Sequence, residues 1–242
     1  MNLPNPTIEF YEQLQLAYSF FNERLFANQL SNCIITIQRE KNTMGFFSPT
    51  RWRNLKGNHA HEISLNPTYF LSKNLIEIFQ TLVHEQCHLW QFEHGQPSRF
   101  GYHNQEWARK MKSVGLIPSD TGQPNGNVVG QKMADYPEKN GIFMSACLEL
   151  IDTGYLINWI DRQPAKKLDE GFIARTYIAT TSEEFLYTPL SKIFTNFEYQ
   201  IKPKKSKVKY HCIQCGMNVW GKSGLNIQCI DCKVILLYCI SD

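Results

Sequence analysis

No stretch of this chain approaches the roughly 18 consecutive apolar residues that a membrane span needs, and its first residues, MNLPNPTIEF, lack the basic start and apolar run of an export signal. A membrane partner is therefore not expected, and the cytosol is the default location. Strong charge of either sign is missing too, since the net charge is only +3 with a pI near 8.3. Attraction to nucleic acid must then come from a local cluster rather than from the whole surface. Internal repeats and long low-complexity segments are also absent. What remains is 242 residues, 43% hydrophobic and 19% charged, enough for one large domain or one domain with a small appendage.

Cysteine, by contrast, is plentiful, with eight residues. In a small secreted chain these would suggest disulfides, but here four of them form two C-x-x-C pairs without a visible export signal. Zinc in a reducing compartment fits that pattern better.

The apolar positions of residues 7–28 recur every three or four residues, at 10, 14, 17, 18, 21 and 25, behind a possible N-cap at Thr7. An amphipathic helix is expected there. CIITIQRE, MGFFS and HAHEISLNP read as two or three short strands, the last ended by Asn66-Pro67. From Leu75 to Glu93 the chain is apolar on more than one face, as in a helix buried mid-domain, and Gly95 and Pro97 end it. NQEWARKMKSVG reads as a further helix and PSDTGQPNGN as a loop. IFMSACLELI and GYLINWI are compatible with buried strands or with helix. The expected fold class is α+β.

Within the buried helix, TLVHEQCHLWQFEHG places His84 and His88 four residues apart, about 40° around the helix axis, so both imidazoles can reach one ion. Glu85, turned about 100° from His84, can face the same cleft without being a ligand. That pattern suits a catalytic zinc held by two histidines and one further protein ligand, with an open position for water. Glu85 would serve as general base. Three residues compete for the third place. His94 has the metzincin offset, but Gln91 stands where that pattern needs a bending glycine. A continuous helix would carry His94 roughly 15 Å from His84 and make it a C-terminal cation favoured by the helix dipole. Glu106 lies on the next helix, where a gluzincin carboxylate would be, and His103 lies just before that helix beside Gly101. Cys87, inside the motif, reads as a small buried thiol, as do Cys33 and Cys147. His59 and His61 share one face of a strand, either on the rim of the cleft or simply exposed.

FFNERLF, HEISLNP, LVHEQCH and GYHNQEWARKM together resemble the SprT-like family of zinc metallopeptidases, which includes bacterial SprT proteins and eukaryotic Spartan. The resemblance covers roughly residues 7–117 and the C-terminal cysteine module. It implies a zincin-like domain in which His103 is the third ligand, followed by the aromatic Trp107. It also implies protein substrates bound or crosslinked to DNA.

At the C-terminus, Cys212, Cys215, Cys229 and Cys232 form two pairs separated by thirteen residues. Four thiolates from two such knuckles make a closed, structural tetrahedral zinc site, and Gly216 permits a tight turn in the first. Cys239 is expected in the core of the module's last strand. Upstream, Lys202, Lys204, Lys205, Lys207 and Lys209 carry no acid among them; with Trp220 and Lys222 they read either as a solvated linker or as a grip on nucleic-acid phosphates beside a stacking indole. The expected organisation is a protease domain over 1–134, an extension over 135–200, a basic linker over 201–210 and a zinc ribbon over 211–242. Two zinc ions are expected, one catalytic and one structural. The contrasting reading is a DNA- or transcription-associated binding protein whose zincin domain is only a scaffold, against which the glutamate of the histidine motif argues. A general peptidase with a purely structural ribbon is the third.

Overall fold

Asn5, rather than Thr7, starts the first helix: its side chain accepts from the Ile8 amide at 3.4 Å, and Pro6 occupies the first helical position, where no N–H is needed. The computed structural model describes residues 5–99, 101–163, 181–194 and 207–239. Two compact units divide the chain, Met1–Tyr199 and Gln200–Asp242. Among the described residues no helix is long and apolar enough to cross a membrane.

In the first unit, α1 (Pro6–Phe26) turns its Leu14, Ala17, Tyr18, Phe21 and Leu25 inward. The Asn22 amide then closes the turn that follows, donating to the Leu30 carbonyl at 3.0 Å and accepting from the Leu30 amide at 3.1 Å. This is the asparagine of FFNERLF, and its buried amide is satisfied by backbone.

Three short strands follow, β1 (Ile34–Ile37), β2 (Gly45–Arg53) and β3 (His59–Leu65), in the order β1-β3-β2. β1 runs parallel to β3 and β2 antiparallel to it, with a register shift between Ser48 and Trp52. Asn66 ends β3, and its side-chain amide donates to the carbonyls of Glu40 and Thr43, which ties down the β1–β2 connection.

A capping box between Asn74 and Glu77 opens α2 (Leu75–His94). This helix lies against β2 and β3 and buries Leu75, Ile76, Ile78, Phe79, Leu82, Val83, Cys87 and Leu89, so its all-round apolarity reflects a central position. The ring of Phe21 meets those of Phe79 and Phe143 at centroid distances of 5.2 and 6.1 Å. Each such ring, fully buried, stabilises the fold by roughly 1.5–3 kcal/mol.

After α3 (Gln105–Ser113), β4 (Leu116–Ser119) pairs antiparallel with β5 (Ala134–Pro137). PSDTGQPNGN is therefore part strand, and β5, which spans residue 135 at the start of the expected extension, pairs with β4. IFMSACLELI resolves as helix α4 (Ile142–Asp152), with Phe143, Ala146, Cys147, Leu150 and Ile151 inward at helical spacing. Its start crosses Gly115 so closely that a Cβ there would lie 2.8 Å from the Phe143 nitrogen; φ at Gly115 is also +84°, so only glycine fits. GYLINWI takes no regular structure; Asn158 and Trp159 donate to the two Glu9 carboxylate oxygens at 2.8 and 2.9 Å. Two short helices, α5 (Ser182–Tyr187) and α6 (Leu190–Ile193), complete the described part.

The second unit is a three-stranded sheet, β6 (Lys207–His211), β7 (Asn218–Lys222) and β8 (Leu237–Cys239), in the order β7-β6-β8. Tyr210, Cys212, Cys229 and Leu236 form its small core.

Candidate metal centres

A cleft of about 970 Å³ runs along α2 from Lys73 and Asn74 to Gln91 and Phe92, with His84, Glu85, His88 and His103 in its wall. His84 and His88 come from adjacent turns of α2, their ring centroids 5.1 Å apart. The chain leaves α2 at Gly95 and folds back, so that His103 arrives with its ring 5.3 Å from His84 and 4.8 Å from His88. One nitrogen from each of the three lies within 4.8 Å of the others, close enough for one ion to draw them together. Three imidazoles with an open side are a donor set that fits zinc.

What positions His103 is a pair of backbone hydrogen bonds to Gly130, His103 N to Gly130 O at 2.8 Å and Gly130 N to His103 O at 3.1 Å. The same carbonyl lies 3.2 Å from His103 Nδ1, which leaves Nε2 for an ion. Beneath all three rings is the fully buried indole of Trp107, 4.4 Å from His103, 4.8 Å from His84 and stacked at 5.3 Å on His88. Burial pushes the His88 imidazole well below its ordinary value, with His84 and His103 adding to the effect. His103 falls to about 4 for the same first reason, then through His84. Both are therefore neutral near pH 7, the state that can ligate a metal.

His84 behaves differently. Burial lowers it, but the hydrogen bond it donates to Asp135 and the charges of Glu85 and Asp135 prevail and raise it. Asp135 Oδ2 lies 3.1 Å from His84 Nδ1, an acidic neighbour that the sequence reading missed. Beside it, Glu85 is 6% exposed, and burial pushes its carboxyl up to about 7, opposed by His84 and by the Phe47 amide. A carboxyl poised there can take and return a proton near neutral pH.

The other two candidates for the third ligand point elsewhere. Glu106 accepts from the Gln96 backbone amide at 2.6 Å and from Gln91 Nε2 at 2.8 Å, holding the turn after α2. His94, half exposed at the end of α2, donates from Nε2 to the Gln29 carbonyl at 3.0 Å. Cys87 is fully buried in the core, where desolvation raises its thiol well above the ordinary value. His59 is exposed, whereas His61 packs on Phe47 and Phe92 and accepts from the Thr50 amide at 2.9 Å. Neither lines the cleft, although Phe47 and Phe92 do.

In the second unit, Cys212, Cys215, Cys229 and Cys232 bring their sulfurs within 4.8 Å of one another, a closed set compatible with zinc. The first knuckle closes through Gly216 at φ +76°, its amide donating to the Cys212 carbonyl. The second repeats that geometry with Lys233 at φ 57°. The register pairs Lys207 with Lys222 and Lys209 with Trp220. Paired residues share one face of a sheet, and here that is the face opposite the buried Tyr210; all four are exposed, Trp220 by 61%. Lys202, Lys204 and Lys205 lie outside the described residues, as does the side chain of Cys239.

A model of the SprT-like family matches residues 14–125 of the chain. An uncharacterized protein from the mucB 3' region of Salmonella typhimurium is 56% identical to it over 52 residues, which is 22% of this chain and 68% of that protein. No solved structure matches it.

Proposed function

The chain belongs to the SprT-like family, and from that premise we propose that it is a zinc-dependent metallopeptidase of the zincin type acting on DNA-bound or DNA-crosslinked proteins. The family is associated with metallopeptidase-like function. The observation that carries the reading is the convergence of His84, His88 and His103 in an open cleft beside the buried Glu85.

His84, His88 and His103 would hold the ion, which when bound supplies Lewis acidity for a peptide carbonyl and lowers the pKa of an attacking water. Glu85 takes the proton of that water and returns it to the leaving amine. Its place in the cleft wall beside His84 and His88 favours this exchange. Trp107 keeps bulk water from the back of the imidazoles. Along α2 the cleft is long enough for an extended peptide: Asn74 and Phe92 are 18 residues apart, roughly 27 Å at 1.5 Å per residue.

Nucleic acid is the second part of the proposal. Trp220 with Lys209 directly across the ladder, and Lys207 opposite Lys222, combine an exposed stacking surface with phosphate-directed charge. The Cys212, Cys215, Cys229 and Cys232 set would hold the structural zinc that keeps this face in shape.

The test is proteolysis of a purified DNA-binding protein, with and without DNA, by wild type and Glu85→Gln, each with measured zinc content. The reading expects cleavage that rises with DNA and falls 10²–10⁴-fold in Glu85→Gln with zinc retained. Zinc-loaded wild type that cleaves nothing, or Glu85→Gln that cleaves normally, would overturn it.

A further inference from the structure

The matched segment ends at residue 125, yet two of the three histidines are held from beyond it, His103 by Gly130 and His84 by Asp135. We propose that Asp135, clamped by Gln80, is a positioning residue of the three-histidine site, fixing His84 so that its Nε2 is presented to the ion. This inference rests on the metal-site part of the functional reading and not on the reaction assigned to it.

Both carboxylate oxygens of Asp135 are engaged from α2. Oδ2 lies 3.1 Å from His84 Nδ1, and Oδ1 accepts from Gln80 Nε2 at 3.0 Å. Gln80 Nε2 also lies 3.1 Å from the Asp135 backbone carbonyl. Gln80 and His84 are four residues apart and so on one face of the helix, and together they grip the same residue of β5. The carboxylate cannot turn without losing one of the two contacts. Its height is set in turn by the ladder, where Asp135 pairs with Pro118 of β4. The two side chains are largely sealed from solvent, 13% exposed for His84 and 7% for Asp135, so water does not screen their interaction.

A carboxylate on Nδ1 requires the hydrogen to be there. The lone pair is then on Nε2, and the ring plane is fixed towards His88 and His103. Such an outer partner also makes the imidazole a stronger donor, and losing one typically costs 10–100-fold in metal affinity. The three histidines are thus held by three different devices: a carboxylate on His84, a stacked indole on His88 and a backbone carbonyl on His103. Only the first carries charge, which makes Asp135 the one whose neutralisation alters donor strength as well as orientation.

The experiment uses the full chain and reads metal binding directly. Competition of zinc against a chelator, and the visible spectrum after cobalt(II) loading, separate the two sites, because thiolate-to-cobalt charge transfer marks the four-cysteine site and not the three-histidine one. Asp135→Ala is expected to weaken the three-histidine site 10–100-fold while leaving the four-cysteine site at wild-type affinity. Gln80→Ala, which frees the carboxylate to turn, should weaken it less, and the isosteric Asp135→Asn should fall between the two. If Asp135→Ala does not fold, Asp135→Asn decides. A variant that folds and binds zinc and cobalt at the three-histidine site as wild type does would overturn the proposal, as would an equal loss at both sites. A weakened site in a protein that cleaves nothing would leave this inference standing while the peptidase reading fell.

Discussion

The carboxylate of Glu106 lies 2.6 Å from the backbone nitrogen of Gln96. It thereby holds the turn that carries the chain from α2 back to His103. Glu106→Gln should keep zinc at the three-histidine site and lose about 1 kcal/mol of stability at pH 7, the order of one hydrogen bond to a partly exposed group. The Gln96 amide and then Gln91 hold this carboxyl below its ordinary value. A depressed carboxyl stabilises the fold above its unfolded pKa, and that contribution is lost as pH falls through the folded one. The stability gap between wild type and Glu106→Gln should therefore close in acid, which denaturant titrations at pH 7 and near pH 3 would show. Loss of zinc in Glu106→Gln would make Glu106 a ligand after all.

His103 and His94 make opposite predictions. His103 is one corner of the triangle, whereas His94 donates to Gln29 at the far end of the helix. Zinc per chain should fall from two to one in His103→Ala and stay at two in His94→Ala, with cobalt spectra showing that the thiolate site is the one retained. The affinity lost in His103→Ala should exceed the 10–100-fold of an outer partner. An unchanged zinc count in His103→Ala would dismantle the site as described.

Lys233 adopts φ 57° in the second knuckle, where the first has Gly216 at φ +76°. A side chain in the left-handed region costs about 1–2 kcal/mol, while glycine gives back part of any gain by loosening the unfolded chain. Lys233→Gly should therefore tighten zinc at the four-cysteine site by a few-fold, or about 0.5–1 kcal/mol net. Chelator competition on the full chain measures this, and weaker binding in Lys233→Gly would contradict the knuckle geometry.

Local pattern made much of this legible beforehand. His84, Glu85 and His88 are set by helical spacing alone, and the four cysteines by the shortness of each knuckle, so their grouping is a near-neighbour property. The ambiguity over His103, His94 and Glu106 arose because a fold-back through Gly95–His103 depends on hydrogen bonds that Gln91 and the Gln96 amide donate to Asn104 and Glu106, which no periodicity encodes. Asp135 was missed for a related reason. It reaches His84 only through the pairing of β5 with β4, 51 residues along the chain from its partner. IFMSACLELI could not be told from a strand because its ten residues are nearly all apolar; burial of one side decides, and that side is supplied by α1 and Gly115.

The exposed face of the ribbon yields the last prediction. Trp220 and Lys209 stand across from each other on β7 and β6, and Lys207 faces Lys222 one step along. Because these side chains point away from the Tyr210 core, replacing them should leave zinc content and folding intact. A stacking indole and a phosphate-directed lysine then fail differently. Trp220→Ala should weaken single-stranded DNA binding by about 1–3 kcal/mol with the same dependence on salt. Replacing Lys207, Lys209 and Lys222 by Gln should flatten the plot of log affinity against log salt by about 0.7 per lysine lost. Binding measured by fluorescence anisotropy at four or five salt concentrations separates the two effects. If neither change alters binding, or if the wild type shows no salt-dependent binding at all, the face is only solvated and the ribbon's part in nucleic-acid recognition falls.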